Sequence, residues 1–198
     1  NKTSIAEALS AHIAEECDWR GVHPFNTLKG PRDIAEAFWE PLQTAFRCYQ
    51  RRDDILLAGH NEVKDGAGPE TWVCSMGHLV GLFDKPWLGI PPTGRLCFIR
   101  YCEFSGVDLE RKMITQACVH VDILGVMHQA GVYPLPPTGG VMLNPTPGPR
   151  THDGLLTAPQ DEGETAKTIE LLVKMNESLV AANKASCATD AEDGAEDC

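Results

Sequence analysis

Apolar positions along the chain switch period from about four to two and later back again. Ser4-Ile5-Ala6-Glu7 is a capping box, in which a hydroxyl and a carboxylate satisfy two free backbone amides. Behind it Ile5, Leu9 and Ile13 recur every four residues and predict an amphipathic helix ending near Cys17–Trp19, ahead of Gly21 and Pro24. Gly30-Pro31 opens a second predicted helix, with proline in the first turn where its missing N–H does no harm. Ile34 and Phe38 face the core, Pro41 predicts a kink or restart, and Leu42, Ala45, Phe46 and Tyr49 continue the apolar face.

From Ile55 the period is two. Ile55–His60, Trp72–Val80, Arg95–Phe104 and Lys112–Asp122 read as four strands. They are separated by the turn Asp65–Pro69, the Pro/Gly-rich loop Phe83–Gly94 with Trp87, and a hairpin turn at Ser105–Glu110. A short helix, Ile123–Ala130, stops at Gly131. Helices followed by antiparallel strands indicate an α+β domain, with the helices on one face of a curved sheet and a pocket between the layers.

The first domain is placed at 1–135 and a Pro/Gly-rich surface connector at 136–164. A helix at 165–185 carries Ile169, Leu172, Val173, Asn176, Leu179 and Val180, and an acidic disordered tail is expected at 186–198. The late helix has two readings. It is an arm that packs across a dimer, or it opens a second copy of the domain in a longer tandem protein. The chain starts at Asn1 rather than Met, so further residues are expected ahead of it.

Composition sharpens this picture in three ways. The 198 residues suffice for about one domain, and 42% of them are hydrophobic. The net charge of −11 argues against a nucleic-acid partner, because phosphate affinity rests on clustered Lys and Arg. Ten acids and three lysines after residue 159 account for −7 of that charge. No apolar run approaches the ~18 residues of a membrane span, and no signal segment opens the chain. Of eight cysteines, Cys74, Cys97, Cys102 and Cys118 sit in apolar strand-like runs, and no C-x-x-C pair occurs. Structural thiols in a reducing cytoplasm are expected, without a metal.

Three stretches resemble a known family. Gly77-His78-Leu79-Val80-Gly81-Leu82-Phe83, followed by Gly89-Ile90-Pro91-Pro92-Thr93-Gly94-Arg95, resembles a signature of the SnoaL-like polyketide cyclases. So does Ile114–Asp122 running into Gly125, Gln129, Gly131 and Pro134, and so does the opening of two helices with Trp39. The resemblance spans residues 5–135 and implies the NTF2-like (cystatin-like α+β barrel) cone. It also implies general acid–base chemistry without cofactor or metal on a small apolar carbonyl compound: cyclisation, isomerisation or dehydration. A homodimer is implied too, as it is by an exposed outer sheet face. The alternative is a non-catalytic ligand-binding or dimerisation module. Two departures from the family pattern stand out. The last hairpin turn, Asp108–Ile114, is long and lacks glycine, and the strand Arg100–Phe104 lacks the histidine that partners the family's aspartate.

Asp122 is the first candidate proton shuttle, because an apolar pocket raises a carboxyl pKa. It stands equally where an Asp would cap the helix starting at Ile123. His120, two residues away on the same strand, can pair with it, and His78 of the signature can polarise a carbonyl or orient it. Tyr101 and Glu103 share the face where the missing histidine would lie. Candidates to line the pocket are His23, Trp39, Trp72, Tyr101, Glu103 and Met127, while Trp39, Trp72, Phe83 and Trp87 read first as packing.

Overall fold

The capping box forms as the sequence predicts: Ser4 Oγ accepts from the Glu7 N–H at 3.1 Å and the Glu7 carboxylate accepts from the Ser4 N–H at 2.9 Å. The helix it starts, α1 (Ile5–Ser10), is only six residues long in the computed structural model. The structure describes residues 4–60, 71–136, 144–149 and 161–193, of which 184–193 as backbone alone. The expected continuation to Cys17–Trp19 is instead strand β1 (Ile13–Gly21). There Cys17 and Trp19 are buried while Asp18 and Arg20 are exposed, a two-residue alternation broken by a register shift between Ile13 and Asp18. Ile5 and Leu9 do share α1, and only Ile13 of the four-residue repeat belongs to the strand.

After β2 (Thr27–Lys29) the second helical segment has three parts: α2 (Gly30–Ile34), a π turn (Ala35–Trp39) and α3 (Glu40–Ala45). The expected break at Pro41 takes the form of that π turn, where the Glu40 N–H reaches back five residues to the Ala35 carbonyl. Pro41 then sits in the first turn of α3, directly after the π turn. The helix stops at Ala45. Residues 46–54, expected as its end, belong to strand β3 (Phe46–His60).

Strands β4 (Thr71–Phe83), β5 (Arg95–Asp108) and β6 (Met113–Val121) complete a six-stranded sheet in the order β2-β1-β6-β5-β4-β3. β5 runs through the expected turn at Ser105, and Asp108 Oδ1 accepts from the N–H groups of Glu110 and Arg111 to close the hairpin later. All pairings are antiparallel except β1 with β6. β2 and β3 end the order without pairing to each other, so the sheet is open and the barrel expected from the resemblance is not formed.

Alternation assigns the two faces. Leu79 and Phe83 of β4, Cys97, Ile99 and Tyr101 of β5, and Ala117, Val119 and Val121 of β6 point into a core with Ile34, Phe38 and Leu42. Burying these side chains is the main stabilising term. The Phe83–Gly94 loop adds Trp87 and Ile90 to that core, their backbones bonded to each other. Helix α4 (Ile123–Gln129) lies where β6 has ended and β5 would offer a bare edge. Gln129 closes that edge: its Oε1 accepts from the Phe98 N–H at 2.9 Å and its Nε2 donates to the Phe98 carbonyl at 2.7 Å. Of the connector, residues 136, 144–149 and 161–164 are described, and Gly148 lies against Asp54. The rest of the connector lies outside the described residues, and so does the turn expected at Asp65–Pro69. So do residues 194–198 of the tail.

The second compact unit contains α5 (Glu162–Asp193). This helix starts three residues before the expected 165 and takes in 186–193 of the expected tail. Its side chains from Glu162 to Asn183 are exposed.

Candidate functional site

The Asp122 carboxylate is first of all a helix cap. Its Oδ1 accepts from the Gly125 N–H at 2.7 Å, and a Cβ at residue 125 would stand 2.3 Å from Oδ2. The D-x-x-G stretch therefore has a structural cause: the glycine leaves room for the cap. Asp122 also belongs to the lining of an apolar cleft of about 720 Å³. Val22, Ile90, Val121, Leu124 and Met127 line this cleft, and His23 stands with Asp122 as its polar element. Three candidates, Asp122, His23 and Met127, are thus brought together at one end of the core. The cleft is an open depression and Asp122 is exposed, so the dry enclosure expected around it is not what surrounds it.

A second group gathers on the core-facing side of β3, β4 and β5. Arg51 Nε donates to Asp53 Oδ1 at 3.0 Å and to the Tyr101 hydroxyl at 3.1 Å, and its Nη1 donates to Glu103 Oε2 at 2.8 Å. Ser75 Oγ donates to Asp53 at 2.8 Å, and so does the Tyr101 hydroxyl, in a short bond. Ser105 Oγ donates to Glu103 at 3.1 Å, and the Arg51 guanidinium lies 4.5 Å from the centre of the Tyr101 ring. Tyr49, edge-on to Trp39 at 6.2 Å, borders this set. Burial pushes the Tyr101 hydroxyl up to about 12, with its bond to Asp53 adding, so it stays a proton donor. Burial also works against the Asp53 charge, but the bonds from Tyr101, Arg51 and Ser75 outweigh it and hold the carboxyl below its usual range. Tyr101, Glu103 and Trp39 were legible here from the sequence, whereas Arg51, Asp53, Ser75 and Tyr49 were not. With 46–54 assigned to a helix end, Arg51 and Asp53 could not be seen to share a strand face.

The remaining candidates lie on the opposite side of the sheet. His78 pairs across β4–β5 with Arg100 and points away from the core that Leu79 enters. It is 5% exposed, its Nδ1 lies 3.2 Å from Asp54 Oδ2, and it neither polarises nor orients anything in the cleft. Its Nε2 and Arg100 Nη1 are both buried without a hydrogen bond. Burial lowers the His78 pKa; Asp54 opposes this and Arg100 adds to it. His120 is exposed and its ring nitrogen lies 3.9 Å from Cys118 Sγ. Among the described residues no hydrogen bond joins it to Asp122, so the expected pair is not made. Trp72 lies in an outer-face depression with Leu57, Cys74 and Phe104 rather than in the cavity. Trp87 is buried packing, as is Phe83. Six cysteines of the described residues are free thiols, and burial raises Cys17 and Cys97 to about 11, which makes them poor nucleophiles. No described helix is long and apolar enough to cross a membrane.

No protein-family model matches the chain, and no curated protein does. Solved structures do match. IdmH from Streptomyces antibioticus, a proposed polyketide cyclase, superposes with a TM-score of 0.51 at 16% identity over 64% of this chain and 86% of its own. AclR from Streptomyces galilaeus, a proposed hydroxylase, gives 0.51 at 13% identity over 64% and 74%. A proposed SnoaL-like polyketide cyclase from Jannaschia sp. CCS1 gives 0.47 at 18% identity over 65% and 80%.

Proposed function

With the SnoaL-like, NTF2-like fold as premise, we propose that this domain binds a small, mainly apolar carbonyl compound in the Asp122 cleft and moves a proton on it. The two superposed structures bear different reaction names, so the fold leaves the reaction open and the site must supply it. The observation that carries the reading is the Asp122 carboxylate, held as a helix cap through Oδ1, in the lining of an apolar depression large enough for a small ring compound. The helix cap holds the carboxylate still through Oδ1, and Oδ2 takes a proton next to a carbonyl. His23 across the cleft is the second polar group and hydrogen-bonds the oxygen on which negative charge develops. The proton then goes to another carbon of the enolate in isomerisation, to a β-hydroxyl that leaves as water in dehydration, or to the alkoxide formed when the enolate carbon attacks a second carbonyl of the same molecule in ring closure, each without a cofactor.

Exchange of the α-protons of 2-tetralone in deuterated buffer, followed by NMR, tests this. The wild-type chain is expected to accelerate exchange above buffer, and Asp122→Asn to lower the acceleration by about 100-fold or more. Asparagine keeps an oxygen for the Gly125 N–H, so the melting temperature should stay close to that of the wild type. Equal exchange in both proteins would remove Asp122 from the chemistry. The second reading, a non-catalytic binding module, draws on the engagement of the same carboxylate as a cap. Chemical-shift changes at Met127 and Val22 on adding 2-tetralone, with no accelerated exchange, would establish it.

A further inference from the structure

We infer that α5 pairs with the same helix of a second copy of this chain, parallel and in register. The inference stands apart from the ligand reading and survives or fails without it. Ile169, Leu172, Asn176, Leu179 and Asn183 are spaced three, four, three and four residues apart, the alternating seam of a two-stranded coiled coil. Val173 and Val180 flank that seam. Ile169, Leu172, Val173, Leu179 and Val180 are each about half exposed, so nothing in the described structure covers them. Charge is kept to the other side of the helix, where Lys167 pairs with Glu164 and Lys174 with Glu170, each at 2.6 Å.

The occupant is specified by the two asparagines. Asn176 and Asn183 are seven residues apart and take equivalent positions on the seam. A buried amide without a partner is costly, and in a parallel, unshifted pair each asparagine meets its own counterpart. Shifting the helices, reversing one of them, or offering a wholly apolar partner would set at least one amide against hydrocarbon. A second copy supplies both amides by symmetry. The five apolar side chains expose on the order of 500 Å² per copy, so pairing hides about 1,000 Å² in all, the size at which specific interfaces begin.

Sedimentation velocity of the full chain over 1–100 μM is the test. The expected result is a species of twice the 21.6 kDa chain mass. Leu172→Glu combined with Leu179→Glu should raise the apparent dissociation constant by about 100-fold or more. Leu171→Glu, at an exposed position off the seam, should leave the dimer unchanged. Asn176→Leu should keep association but lose the single dimeric species in favour of larger assemblies. Three results would overturn the inference: a monomeric wild type at 100 μM, a dimer that survives the double substitution, or dissociation by Leu171→Glu alone. Survival would place the contact elsewhere, with the exposed apolar residues Leu57 and Phe104 of the outer sheet face next in line.

Discussion

Arg51-Arg52-Asp53-Asp54 is one run of charge in the sequence and two separate devices in the structure. Because successive residues of a strand point to opposite faces, Arg51 and Asp53 join Tyr101, Ser75 and Glu103 on the core side. Asp54, the extra residue where the β3–β4 register shifts, meets His78 on the other side. Replacing Tyr101 by Phe removes one of the donors that hold the Asp53 carboxylate and leaves its neighbours short of a partner. A loss of about 1–2 kcal/mol in denaturant unfolding at pH 7 is expected, with an upward move of the Asp53 titration by NMR. Since the folded state holds Asp53 low, its contribution exists above the ordinary carboxylate range and fades as pH falls through the folded value. His78 acts in the same direction at higher pH. The unfolded chain takes up its proton near 6.5 while the folded chain resists, so stability should decline as pH drops below about 6.5. His78→Gln should flatten that decline between pH 7 and pH 5 in thermal melts; an unchanged slope would assign it to other groups. Parity alone places His78: Leu79 and Phe83 enter the core, so their odd-numbered row excludes it. The family signature had suggested a catalytic residue because motif matching ignores the face of a strand.

At the scale of elements, sequence signals were read correctly where the cause was local. The Ser4–Glu7 box, Pro31 in a first turn and the start of α4 after Asp122 all depend on residues a few positions apart. The conversion of 13–21 and 46–54 to strands depends on partners far along the chain, Ile114–Val119 and Gly77–Phe83. Their propensity was overridden by pairing, which a window of ten residues does not contain. The π turn follows a rule but could not be anticipated in form: proline demanded a break, and the packing of Phe38 and Trp39 chose how to make it. The Asp122–Gly125 cap offers a direct test at this scale. Gly125→Ala forces a Cβ against the carboxylate and should cost about 1–2 kcal/mol, as should Asp122→Ala. Because both remove the same contact, the double variant should be destabilised by clearly less than the sum of the two. Full additivity in urea unfolding would show that the cap and the glycine act independently.

For the molecule as a whole, the α+β class was legible, and three residues named from the sequence, His23, Asp122 and Met127, line one cleft. Four of the six strands and the short helix after Asp122 were read from pattern, whereas β1, β2 and the open edge of the sheet were not. One pairing carries a consequence for how the chain is made. β1 finds its second neighbour only in β6, a strand that begins about a hundred residues later. During synthesis β1 has β2, and Trp19 has Phe25 and Phe38, from the start, but the other edge of β1 must wait until the ribosome has released Val119, and Gln129 must follow before the last bare rim is sealed. A nascent polypeptide halted anywhere short of that point would hold its earliest segment berthed on one side only, an invitation to chaperones rather than a smaller working domain.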